Sequence, residues 1–110
     1  MNLHRLAEER SIAFHRAVAQ KIASEPLVLS AARARVEQWL ARGTPHPVYA
    51  REWERILALP LAELSSALVD PSEEARALRQ VTPFAGALPA RERWDLWREA
   101  ARWHAGGRAP

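Results

Sequence analysis

Most of the reactive potential of this chain sits in four histidines and sixteen basic residues, all arginine except Lys21. Two histidines follow an arginine at short range: His15 after Arg10, and His104 after Arg98. An arginine can steady phosphate charge while a histidine moves a proton, the minimum needed to break a phosphodiester. In a chain so rich in arginine, such spacings also arise by accident. Ser11 and His15 stand i,i+4 on a predicted helix and could touch. No acid follows to orient the imidazole and no oxyanion hole is visible, so acyl transfer has little basis. His4 and His46 complete the set. No two histidines stand at i,i+4 and no His-Glu-x-x-His run occurs, so neither a metal nor a cofactor is expected. With no cysteine, disulfides, thiolate ligands and cysteine nucleophiles are excluded.

A second chemistry is recognition. Trp94, Trp97 and Trp103 fall on one predicted helix with Arg91, Arg93, Arg98 and Arg102. Tryptophan and arginine are the residue types that most often dominate binding energy at interfaces. Trp94, Trp97 and Ala101 share one stripe, and Leu96, Ala100 and Trp103 form its neighbour, with Arg91, Asp95, Arg98 and Arg102 opposite. Arg91 and Asp95 are spaced to pair. A small domain has difficulty burying all five tryptophans, and any left outside would mark a contact surface. In the loop Thr82-Pro83-Phe84-Ala85-Gly86, Phe84 reads either as a plug in the core or as an anchor for another chain. The expected partner-binding set is therefore Phe84, Arg91, Trp94, Trp97, Arg98, Arg102 and Trp103. If nucleic acid is bound instead, Arg5, Arg10 and Arg16 on the first helix and Arg33 and Arg35 on the second are the candidates.

The elements that must position these residues are all helical. Pro26, Pro47, Pro60, Pro71 and Pro89 stand where helices should begin, each at the favoured first position. Helix one, about 2–23, places Leu3, Ala7, Ser11, Phe14, Val18 and Ile22 on one stripe. Ser24 is expected to cap helix two, about 26–41, with Leu29, Ala32, Val36, Trp39 and Leu40 inward and Gly43 as its stop. Helix three, about 48–58, should bury Tyr49, Trp53, Ile56 and Leu57. Helix four, about 61–69, is leucine-rich, and Asp70 should cap helix five, about 71–80. Helix six covers about 89–104, and 105–110 read as a flexible tail. No stretch alternates with period two, so strands are not expected. The prediction is one all-α bundle of five to six helices. A helix-turn-helix over 49–69 fails because its second helix, 61–69, carries no basic residue with which to read bases.

With 110 residues there is room for one core. Net charge is +3, below the imbalance typical of a nucleic-acid footprint. The N-terminus lacks the apolar run of a signal peptide, and no window reaches the ~18 apolar residues of a membrane span. A cytoplasmic setting without membrane contact is expected.

Two resemblances bear on function. Both arginine–histidine pairs resemble the Arg-x(4–6)-His pattern of HEPN helical ribonucleases. That resemblance implies phosphate stabilisation by arginine, proton transfer by histidine, and a site built by two subunits. The run His15-Arg16-Ala17-Val18-Ala19-Gln20-Lys21-Ile22, the Trp39…His46-Pro47-x-Tyr49…Trp53 middle, and Arg79-Gln80-x-x-Pro83-Phe84-Ala85-Gly86…Arg91-x-Arg93-Trp94 resemble small helical bacterial antitoxin-like proteins encoded beside a toxin partner. This second resemblance covers most of the chain and implies neutralisation of a protein partner without catalysis, with autoregulation as an accessory role; self-association into a homo-oligomer is a separate expectation.

Overall fold

The structure, a computed structural model, describes residues 3–44 and 46–102. These form six helices and no strand: α1 (Leu3–Ser24), α2 (Pro26–Arg42), α3 (Pro47–Leu57), α4 (Leu61–Leu68), α5 (Glu73–Arg79) and α6 (Ala90–Arg102). The all-α expectation holds. Trp103, His104 and the tail at 105–110 lie outside the described residues, as does Pro45.

The helix starts follow local chemistry, with corrections to the proline rule. Pro26 and Pro47 occupy the first turns of α2 and α3, as expected. Pro60 instead sits just outside α4 as its N-cap residue. Pro89 precedes α6 and lends its carbonyl to the Arg93 N–H. Pro71 precedes the true cap of α5, Ser72, whose hydroxyl accepts from the Ala75 N–H at 3.2 Å. Asp70, the expected cap, instead accepts from the Ser72 N–H at 2.9 Å and shapes the turn before the helix. Ser24 does not cap α2 either. It belongs to α1 and donates back to the Lys21 carbonyl, while Glu25 stands at the α2 boundary without a side-chain cap. At the far end of α2, Gly43 adopts φ +76° and returns its N–H to the Trp39 carbonyl, the expected stop.

α1 is the hub, packing against α2, α4 and α6, while α2 pairs with α3. The core joins Val18 and Ile22 of α1, Ala32 and Val36 of α2, Trp53, Ile56 and Leu57 of α3, Leu64 and Leu68 of α4, Leu78 of α5, and Phe84 and Leu88 of the α5–α6 loop. Three inward assignments shift. The α1 core face is rotated so that Leu6 and His15 are buried while Ala7 is exposed. In α3 Ala50 is buried and Tyr49 lies at the surface. Leu61, at the start of α4, is also exposed.

Candidate interaction surface

His15 decides what α1 can do. Its side chain is 1% exposed and sits among Phe14, Trp53 and Phe84, with ring centroids at 5.2, 6.5 and 6.3 Å. Nδ1 lies 2.7 Å from the Ser11 carbonyl, which can only accept, so this nitrogen carries the proton. Nε2, 2.8 Å from the Thr82 hydroxyl, then accepts from it. The same hydroxyl oxygen takes the Phe84 N–H at 3.1 Å. Every polar atom of this chain of bonds has a partner. Burial, aided by the positive charge of Arg79, pushes the imidazole down to about 4, whereas its bond to the Ser11 carbonyl pulls the other way. The expected contact with Ser11 exists, but through the main chain and not the hydroxyl.

Arg10 does not face His15 across an open site. Its guanidinium lies 5.9 Å from the Trp97 ring centroid, with its Nε buried and without a hydrogen-bond partner. Arg93 approaches the same ring at 5.9 Å while donating to the Leu88 carbonyl. In the other arginine–histidine pair, Arg98 is described and His104 is not.

The remaining nucleic-acid candidates divide in two. Arg33 donates to the Leu57 carbonyl at 2.8 and 3.2 Å, and Arg35 holds the Pro83 and Ala85 carbonyls at 3.3 and 2.8 Å. Both arginines thereby brace tertiary structure. Arg5 pairs with Glu9 at 3.6 Å, and Arg16 is exposed beside Gln20, Ser65 and Ser66.

Phe84 is 1% exposed, in T-shaped contact with Trp53 at 6.0 Å. Of the two sequence readings it is the core plug, and it leaves the partner-binding set. Trp39 packs on the core, and the buried Trp53 donates its indole N–H to the Leu78 carbonyl at 3.1 Å.

What the fold leaves outside is α6. Its inward face is made of Arg93, Leu96 and Trp97, each half-buried. Trp94 stands on the rim at 60% exposure, edge-on to Trp97 at 5.8 Å. Arg91, Arg98 and Arg102 are exposed on the outer side. Asp95 pairs with Arg98 at 2.6 Å and not with Arg91, because the i,i+3 partner reaches it first. A shallow depression runs along Asp95, Arg98, Glu99 and Arg102. The structure thus groups Trp94, Trp97, Arg91, Arg98 and Arg102 on one helix, with Arg10 added from α1.

Sequence reasoning gave no role to Thr82 or Arg79, and it weighed Arg35 only for nucleic acid. Thr82 closes the His15 network, and Arg35 pins the loop. Arg79 is 4% exposed and donates to the Leu68 and Asp70 carbonyls at 3.4 and 2.6 Å, while its Nε and Nη2 have no partner among the described residues. Burial lowers its proton affinity, opposed by Glu8 and Asp70. No periodic signal marks a buried arginine, since charged residues score as surface.

Among the described residues no group of three His, Cys, Asp or Glu could hold a metal ion, and no helix is long and apolar enough to cross a membrane. Comparison with protein-family models, with curated proteins and with solved structures found no match.

Proposed function

We propose that this chain is a non-enzymatic, antitoxin-like partner protein that neutralises a cognate toxin through the outer face of α6. The observation that carries the reading is Trp94, 60% exposed in a protein that buries Trp53 and Phe84 almost completely. An indole left in water beside a second, half-buried indole and several guanidiniums has the composition of a binding hot spot. Trp94 supplies the anchor, backed edge-on by the half-buried Trp97, and Arg91, Arg98 and Arg102 supply the rim. The Arg10 and Arg93 guanidiniums each lie 5.9 Å from the Trp97 ring centroid and help to hold the ring behind Trp94 in place before a partner arrives.

The test is co-purification with the product of the neighbouring gene. Trp94→Ala leaves the core untouched, and circular dichroism should show unchanged helix content. Capture should weaken by about 2 kcal/mol, or roughly thirtyfold in Kd. Unaltered capture by Trp94→Ala would remove α6 from the interface. Cleavage of RNA by the purified chain, abolished in His15→Ala but not in a refolded core variant, would replace this reading with the ribonuclease one.

A further inference from the structure

We infer that the outer face of α6 takes an acidic helical segment of its partner, with carboxylates about three turns apart and an apolar side chain between them. The inference rests on the reading of α6 as the interaction surface and names the chemistry of what it meets. Arg91 and Arg102 are both exposed, and among the described residues neither has an ion-pair partner. Eleven residues apart on a helix, they stand about 16 Å from each other. At 100° per residue, Arg91, Arg98 and Arg102 fall within a sector of about 40°, and Trp94 borders it. Arg98 is engaged by Asp95, so Arg91 and Arg102 are the unmatched cations of this sector among the described residues and the indole is its exposed apolar surface.

Charge arrangement selects among occupants. Asp95 stands against the arginine stripe, where Arg98 neutralises it, while Glu99 and Glu92 line the edge beyond it, all three exposed. Glu92 reaches Lys21 of α1 at 3.4 Å, which leaves Glu99 beside the depression. A nucleic-acid backbone carries charge at every step and would run some of it against these carboxylates. A helix with two discrete carboxylates can meet Arg91 and Arg102 and leave the acidic edge alone. A second copy of this chain fits worse. Antiparallel pairing of α6 with itself sets Arg91 against Arg102 of the other copy, and parallel pairing sets each arginine against itself.

The experiment titrates the full chain with a synthetic helical peptide bearing two glutamates eleven residues apart and a phenylalanine between them. Controls are the same peptide with lysines for the glutamates, and a single-stranded oligonucleotide. Calorimetry should show the acidic peptide binding at least about tenfold tighter than the lysine peptide. Raised salt should weaken it, because the contacts are exposed charge pairs. Trp94→Ala, and separately the double variant Arg91→Glu with Arg102→Glu, should each cost about tenfold or more. Equal binding of both peptides, absence of binding, or tighter binding of the oligonucleotide would overturn the inference. Concentration-dependent dimerisation that Trp94→Ala removes would overturn it in favour of a second copy. If the neighbouring gene product is lost with Trp94→Ala but kept by the double arginine reversal, the surface stands and its acidic occupant does not.

Discussion

His15 is the residue whose environment most changes its chemistry. In the unfolded chain it titrates near 6.5; folding pushes it down to about 4. Its contribution to stability is complete above the unfolded value and is lost as pH falls from about 6.5 towards 4, because the unfolded chain binds the proton more readily. Between pH 7 and pH 5 this should remove about 2 kcal/mol, at a pH where most carboxylates are still ionised. Urea denaturation at both pH values measures the loss. His15→Gln should be less stable at pH 7 and show a much smaller difference between the two. Phe84 offers a second test at this scale. Its ring is enclosed by Trp53 and His15, so Phe84→Ala should cost about 3–5 kcal/mol. In the sequence, Phe84 between Pro83 and Gly86 was compatible with an anchor or a plug. Only the tertiary position of Thr82, which brings the loop onto His15, decides between them.

At the scale of elements, helix existence and order were legible because period-3.6 patterning and glycine and proline punctuation act locally. Helix ends were less so. Ser72 outcompetes Asp70 as the α5 cap because Asp70 is already bonded to the Ser72 N–H, a choice that depends on how the α4–α5 turn closes. Ser72→Ala should therefore lower stability by about 1 kcal/mol, whereas Asp70→Ala should loosen the turn and leave the cap in place. Gly43 carries a backbone that L side chains rarely adopt, with open space around it. Gly43→Ala should cost about 1 kcal/mol through conformation alone, read as a lower denaturation midpoint with an unchanged slope. The two faces of α6 were partly legible. Arg91, Arg98 and Arg102 were placed outward correctly, but the tryptophans could not be ranked. That ranking depends on where α1 lies: Arg10 covers Trp97 and leaves Trp94 outside.

At the scale of the whole molecule, the described chain spans 45 × 29 × 24 Å and separates two kinds of surface. The interior holds His15, Trp53 and Phe84 with their side-chain polar atoms engaged, and Arg79 bonded through Nη1 alone. α6 lies on the flank of α1 and presents Arg91, Arg98, Arg102 and Trp94 outward. The stretch between α5 and α6 has no regular structure of its own, yet two long-range clasps fasten it: Thr82 to His15, and Arg35 to the Pro83 and Ala85 carbonyls. The partners in these clasps are 67, 48 and 50 residues apart in the chain. Contacts this far apart in sequence carry a large loop-closure cost, so they are expected to form late in folding. Thr82→Val should then leave the refolding rate nearly unchanged and accelerate unfolding, a signature that stopped-flow chevrons resolve. The clasps would set how long the folded molecule lasts and contribute little to how quickly it is reached.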